Sequence, residues 1–379
     1  MNTPVNIGFD AKRIVSNATG LGSYGRTLVN DLLRLTSQQA ATSPEYQFHL
    51  YAPDEGRSDL RSQIPLTANC QFHYGKLTVP PYGTSLWRTF GIVKDLQRDG
   101  IRLYHGLSGE LPIGIRRSGI RSVVTIHDLI FLRHPEFYHW LDTKIYAWKF
   151  RQTIKEADHI IAISECTKRD IMEYGHVDES RISVIYQSCA LRFHLSASQH
   201  KENHPSRYIL SVGSIEARKN ILLAVKALPL LPDDLSLVIV GRHTRYTDEV
   251  IAYTKAHRLE HRVRIFHGVS DDELPQLYAG AEGFVYPSVY EGFGIPIIEA
   301  ISCGLPVVAC TGSCLEEAGG PDSLYVAPDD VEGMANAIRQ TLRGAEGREE
   351  RIARSREYIH RFEGHDVASQ VISLYHALL

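Results

Sequence analysis

Short apolar runs alternate with longer stretches of helical period along nearly the whole chain, and the pattern runs through twice. This alternation constrains the fold most, because parallel strands can be joined only by a crossover long enough to hold a helix. In the front half the runs VNIGFDA, YQFHLYA, CQFHY, LYHGL, SVVTIHDL, HIIAIS and ISVIY read as strands, with helices expected from GSYGRTLVNDLLRL, TSLWRTFGIVKDLQRDG, HWLDTKIYAWKFRQTIKEA and ECTKRDIMEYG. In the back half RYILSVG, LSLVIVG, RVRIFHG, GFVYPS, LPVVAC and SLYVA repeat the pattern. At 379 residues the chain is too long for one typical core. The expected layout is a front domain over 1–194, a polar linker LSASQHKENHPS over 195–206, a second domain over 207–360 and a closing helix over 361–379 that packs back on the front domain. The fold class is α/β: two doubly wound, Rossmann-like domains facing each other across a cleft. Ligands of such sheets bind beyond the carboxyl ends of the strands, so motifs at strand ends are where chemistry is expected.

Charge narrows the function classes. Residues 1–190 carry 22 Lys and Arg against 19 Asp and Glu, and the remainder carries 19 against 25. A nucleic-acid binder would show a stronger basic footprint, so no nucleic-acid partner is expected. The six cysteines form no C-x-x-C pair, which reads as reduced structural thiols. The opening MNTPVNIGFDAKR lacks a signal-like apolar segment and no apolar run approaches 18 residues, so a cytoplasmic chain is expected. The partly aromatic, basic stretch PYGTSLWRTFGIVKDLQRDGIR leaves room for peripheral membrane contact through the front domain, on the inner face of the membrane.

The stretch ATGLGSYGRTLV places Gly20, Gly22 and Gly25 at the G-x-G-x-x-G spacing of a dinucleotide loop. Its context does not support a dehydrogenase. AKRIVSNAT separates the preceding strand from Gly20, and the acid expected about 20 residues on is missing, Asp54 and Glu55 lying too far along. What remains is that Gly20 and Gly22 allow close approach of a ligand ahead of a helix beginning near Ser23, with Gly25 a packing position.

Two motifs in the back half carry more. After strand GFVYPS comes Tyr290-Glu291-Gly292-Phe293-Gly294, then a helix with Pro296 near its first position and Gly304 just past its end. Gly292 and Gly294 let backbone approach a ligand, and the helix start suits an anion such as a diphosphate. Glu291 and Glu299 would repel a phosphate, so hydroxyl donors of a sugar or ribose are their expected partners. Acids near a helix N-terminus are also favoured by its dipole alone. The second motif, SVGSIEARKNILLAVKAL, ends a strand at Gly213 and carries Arg218 and Lys219 into the next helix, where two adjacent cations can neutralise a diphosphate.

GSIEARKN paired with EGFGIPIIEA, two glutamates separated by seven residues, resembles glycosyltransferase family four, the retaining sugar-nucleotide transferases of GT-B fold. FHGVSDDELPQLYAGAEGFVYPS, TIHDL and IAISECTKRDI extend the resemblance over nearly the whole chain. It implies that Arg218 and Lys219 bind the donor diphosphate, that Glu299 holds the ribose hydroxyls, and that Glu291 with the backbone of Gly292, Phe293 and Gly294 holds the transferred sugar. It implies that the backbone of Val269 contacts the base, and that His127 reaches the donor sugar from the opposite wall. A satisfied histidine at a strand end is the plain alternative for His127; Asp128 fixes its loop, and Ser164 suffices as a helix cap. ISVIYQSCALRF departs from the family, lacking its Asn-Gly-Val-Asp type turn.

The implied reaction moves a hexosyl group, mannose or glucose, from a GDP, UDP or ADP sugar to a saccharide or lipid-linked saccharide acceptor. The two domains are expected to close on the donor. No D-x-D triplet occurs, so no metal or further cofactor is expected. A sugar-nucleotide epimerase of the same fold and a non-catalytic sugar-nucleotide sensor are the competing readings.

Overall fold

Each apolar run forms a strand, and every strand pairing is parallel. The computed structural model describes residues 4–38, 46–75, 86–190, 192–193, 207–270 and 272–379, so the expected linker 195–206 and the first two residues of the helix expected over 84–100 lie outside the described residues. Unit 1 comprises Met1–Ser188 and Phe362–Leu379; unit 2 comprises Cys189–Arg361.

In unit 1, β1 (Val5–Asp10), β2 (Tyr46–Ala52), β3 (Cys70–Tyr74), β4 (Leu103–Gly106), β5 (Arg121–Ile126), β6 (His159–Ala162) and β7 (Ile182–Val184) lie in the order β3-β2-β1-β4-β5-β6-β7. Ile7 of β1 sits opposite Phe48 of β2 and Leu103 of β4, all buried. Continuous apolar strands of this kind are those of a sheet covered on both faces. In unit 2, β8 (Arg207–Val212), β9 (Leu235–Val240), β10 (Val263–Phe266), β11 (Gly283–Tyr286), β12 (Val307–Cys310) and β13 (Leu324–Val326) take the order β10-β9-β8-β11-β12-β13. Both units are therefore the doubly wound, Rossmann-like α/β domains expected. Strand order reverses between β1 and β4 in one sheet and between β8 and β11 in the other, and such switch points open crevices at the carboxyl edge.

The last helix, Gly364–Leu378, belongs to unit 1. Val367, Ala368, Val371, Ile372 and Tyr375 are buried in one cluster with Phe9, Phe48 and Leu50. A Cβ at Gly364 would stand 2.4 Å from the Asp31 carboxylate of the helix Gly20–Gln38, so a side chain there would have to displace Asp31. Tyr375 Oη bonds His105 Nδ1 (2.7 Å), His105 Nε2 bonds Thr125 Oγ1 (2.8 Å), and Tyr24 Oη completes the chain to Thr125 (3.0 Å). Every polar atom of this buried run has a partner, which is the condition for its being tolerated in a core. In unit 2, Cys303 Sγ donates to Phe193 O (3.6 Å) and the Phe193 ring meets Tyr278 edge-on.

Two helix expectations are corrected. The helix expected to begin near Ser23 begins at Gly20, because Thr19 O already accepts from the N–H groups of Gly22 and Ser23 (both 3.0 Å). A Cβ at Gly22 would stand 1.8 Å from Asn17 O, so this glycine admits the chain's own backbone; one at Gly25 would stand 2.8 Å from Ile14, in keeping with a packing position. The helix expected over 84–100 is a π-helical turn, Trp87–Gly91, followed by an α-helix, Ile92–Arg98. Thr89 O accepts from Ile113 N (2.8 Å), which diverts one helical acceptor at the irregular turn.

Burial pushes His105 down to about 3, with His127 acting in the same direction. Its unfolded counterpart titrates near 6.5, so between those values falling pH protonates the unfolded chain while folded His105 stays neutral. Stability is thus unaffected by this group above about pH 6.5 and falls below it, by about 2 kcal/mol at pH 5. Urea unfolding at pH 7 and pH 5 should show that loss in the native protein, and a flatter dependence in His105→Gln.

Candidate active site

At the switch point of unit 2, one carboxylate joins the loops that follow β8 and β11. Glu291 Oε2 accepts from Arg218 Nη1 (2.8 Å), and its Oε1 meets Lys219 Nζ (2.5 Å). The three side chains are 19%, 14% and 11% exposed for Arg218, Lys219 and Glu291. Backbone stitches the same loops, Val289 N donating to Arg218 O (2.8 Å). Locally, Ala217–Lys219 is a single 3₁₀ turn closed by Asn220 at φ 51°, a left-handed conformation that asparagine tolerates better than most residues. Asn220 then starts the helix Ile221–Ala227 and anchors itself through Pro328 O (2.8 Å).

The electrostatics follow from burial and pairing. Burial opposes the charge on Glu291, but Lys219 and Arg218 outweigh it and hold its carboxyl below the usual range. For Lys219 burial is the larger effect and lowers it, with Glu291 pulling the other way. Lys219 also donates to Tyr286 Oη (2.5 Å) and lies 4.7 Å from the centre of that ring, a cation–π placement. Arg218 (to Glu216, 3.4 Å) and Arg242 (to Glu216, 3.7 Å) extend the network, so three cations share two carboxylates. A surplus of positive charge at a strand-end crevice is a site for an anion.

Gly213 closes β8 with φ 147°, a conformation L side chains rarely adopt, and lines the same pocket as Lys219, Tyr286 and Ser288. The helix Ile295–Ser302 begins with Pro296 in its first turn and ends in a Schellman arrangement, Gly304 N to Ile301 O and Leu305 N to Ala300 O (both 2.9 Å). Gly294 packs against Ala318, where a Cβ would stand 2.8 Å away, so a packing reason for this glycine accompanies any ligand reason. Phe293 is buried, and Cys314 Sγ donates to Phe293 O (2.7 Å) and Glu291 O (3.1 Å). Cys314 thereby holds the loop containing Gly292 from beneath, a role no spacing in the sequence announced. Glu299 is partly exposed and accepts from Tyr278 Oη (2.9 Å). Val269 lies in the loop after β10, on the same carboxyl edge as Gly213.

Residues expected from the front half lie in unit 1. His127 directly follows β5; Leu107 O and Gln187 Nε2 bond its Nε2 (2.8 Å) and Nδ1 (2.9 Å), so Nε2 carries the proton. Burial brings its ring down to about 4, the Leu107 carbonyl acting the other way. Asp128 Oδ1 accepts from Ile130 N (3.2 Å), and Ser164 caps the helix Glu165–Gly175 through Thr167 N (3.0 Å). Gly20 has open space where a Cβ would be, unlike Gly22.

Sequence reasoning missed a second cluster, at the switch point of unit 1. Buried Asp10, the last residue of β1, pairs with Arg88, which also pairs with Glu110; Lys149 Nζ completes the run to Glu110 (3.1 Å). Lys12, Arg88, Glu110 and Lys149 line a pocket of about 160 Å³ together with Asp54. The only sequence signal was an acid closing an apolar strand; its partners lie far along the chain.

A family model described as glycosyltransferase family 4 matches residues 32–189, and one described as glycosyl transferases group 1 matches residues 193–358. The chain is 31% identical over 288 residues to O-antigen chain mannosyltransferase B of Escherichia coli, a match covering 73% of this chain and 74% of that protein. It is 30% identical over 242 residues to O-antigen chain mannosyltransferase RfbU of Salmonella typhimurium, covering 64% and 65%. Anabaena Alr3699/HepE, solved in complex with UDP and glucose, has the same fold, with a TM-score of 0.73 at 17% identity over 99% of this chain and 100% of that one.

Removing a buried carboxylate leaves its cations uncompensated. Glu291→Gln should lower the stability of unit 2 by about 3 kcal/mol in the absence of ligand. Inorganic pyrophosphate should restore more of the melting temperature in Glu291→Gln than it adds to the native protein, as thermal denaturation would show.

Proposed function

The chain belongs to glycosyltransferase family 4, and from that premise we propose that it moves a hexosyl group, mannose ahead of glucose, from a nucleoside diphosphate sugar to an acceptor hydroxyl. The setting is surface polysaccharide or glycolipid synthesis, and relatives named as O-antigen mannosyltransferases support both sugar and setting. The observation that carries the reading is the pair of cations, Arg218 and Lys219, held by one carboxylate at the carboxyl ends of β8 and β11.

The difficult step is departure of the nucleoside diphosphate, on which negative charge grows as the glycosidic bond breaks. Arg218 and Lys219, fixed in advance, stabilise that charge without reorganising at the moment of reaction. Glu291 neutralises them until the donor arrives; the diphosphate then takes its place, and the freed carboxylate accepts hydroxyls of the transferred sugar beside the backbone of Gly292, Phe293 and Gly294. Glu299 receives the ribose hydroxyls, the backbone of Val269 meets the base, and Gly213 leaves room for the phosphates. The base is guanine, uracil or adenine.

In unit 1, His127 is proposed to meet the donor sugar, exchanging its Gln187 partner for a hydroxyl, and the helix start at Gly20 and Gly22 to meet the diphosphate. The acceptor is a saccharide or lipid-linked saccharide taken by unit 1, and peripheral membrane contact through that unit belongs to the same reading. Transfer proceeds with retention: the acceptor attacks the face from which the diphosphate leaves, and the departing oxygen takes the acceptor's proton. No metal or further cofactor enters the proposal.

Donor hydrolysis over GDP, UDP and ADP forms of mannose and glucose should single out one donor, and Lys219→Ala should lower its turnover by about 10²–10³ with the fold intact by circular dichroism. Near-normal turnover in Lys219→Ala removes the leaving-group role. A changed sugar formed from donor alone points to an epimerase, and tight donor binding without transfer to a saccharide panel points to a sensor.

A further inference from the structure

The helix Trp140–Glu156 buries only one side. Ala147, Phe150 and Thr153 pack into unit 1, while Trp140, Leu141, Ile145, Tyr146 and Trp148 are exposed, at 65%, 48%, 50%, 42% and 51%. Large apolar side chains grouped on an exposed surface mark a contact site, and Leu141, Ile145 and Trp148 form such a group, Tyr146 meeting the rings of Phe131 and Tyr138 instead. Chemistry is ordered across that face. At about 100° per residue, Trp148, Leu141 and Ile145 fall within about 60°, and exposed Lys144, Arg151 and Lys155 fall within the adjoining ~40°. None of these three cations forms an ion pair among the described residues. Arg116, also exposed, donates to Lys155 O (2.9 Å) and extends the basic edge past the helix end. The helix has two acids, Asp142 and Glu156, and Glu156 is engaged by Arg116 N (3.1 Å). Glu110 pairs with both Arg88 and Lys149, which ties the turn carrying Arg88 to the flank of this helix.

We infer that this face seats on the surface of an anionic lipid bilayer. The inference deepens the reading of peripheral membrane contact above and moves it from the basic stretch 81–102 to a surface centred on Trp148. Indole and aliphatic side chains enter the headgroup boundary while the adjoining cations meet lipid phosphates, the arrangement of an interfacial amphipathic helix. A second copy of the chain fits less well. A twofold interface here would set Lys144, Arg151 and Lys155 against their own copies, and lysine is depleted at protein interfaces. The flank of this helix supplies Lys149 to the pocket that holds Arg88 and Glu110, so a bilayer at the face lies beside a polar pocket of unit 1.

The test is sedimentation of the full chain with phosphatidylcholine vesicles, with and without about one third phosphatidylglycerol. Binding is expected to the anionic vesicles only and should weaken as salt rises. Lys144→Gln with Arg151→Gln should weaken it at least tenfold, about fivefold being expected for each cation lost. Ile145→Ser with Trp148→Ser should also abolish sedimentation, with melting temperature and donor hydrolysis unchanged in both variants. Equal binding to neutral vesicles, undiminished binding by the variants, or a dimer by light scattering that the variants dissolve would overturn the inference. Failure of the transferase reading would appear separately, as a native protein that hydrolyses no donor.

Discussion

The Glu291 carboxylate sits between Arg218 and Lys219 and ties the loop after β8 to the loop after β11. An unpaired cation at such burial would be costly, and a backbone bond from Val289 N to Arg218 O joins the two loops beside the ion pairs. Together they make a preformed crevice whose positive charge is only partly offset from within, leaving a surplus that an anion can offset. The proposed exchange with a donor diphosphate would give buried ionic groups a function in a place where burying charge is expensive. Support comes from apolar neighbours: Tyr286 lies under Lys219, and Cys314 grips the carbonyls of the Glu291 loop.

The same topology occurs in both sheets, and each gathers charge where strand order reverses. In unit 2 the cluster is net cationic, which suits the diphosphate proposed for it. In unit 1 Asp10, Arg88, Glu110 and Lys149 nearly cancel, which suits a polar, hydroxyl-rich ligand more than a strongly charged one. The covering of each sheet also differs. Unit 1 takes its last helix from the far end of the chain, locked by the Tyr375–His105 bond and by the close approach of Gly364 to Asp31.

The strands were legible because parallel strands buried on both faces must be short, continuous and apolar, a pattern few other structures produce. Arg218, Lys219 and Glu291 were legible as motifs because each sits in a loop immediately after such a strand. Their pairing was not, since 71 residues separate Lys219 from Glu291, and a spacing has no direction in space. Glycine serves close approach of any backbone, and at Gly22 that backbone is the chain's own, whereas Gly20 has open space where a Cβ would be. The apolar face of the helix Trp140–Glu156 was hidden in the sequence because apolar and charged residues alternate on both of its sides, so burial of Phe150 and exposure of Trp148 look alike until packing separates them.

By itself the sequence determined the number and order of strands, the doubly wound class and the family, since these depend on local periodicity and on motifs contiguous in the chain. Tertiary structure decided which charges meet. It set Glu291 on both cations, brought Asp10 to Arg88, engaged both nitrogens of His127 and left Trp140 and Trp148 in solvent. Contacts between residues far apart in sequence exist only once the sheets have closed, and no local pattern encodes them.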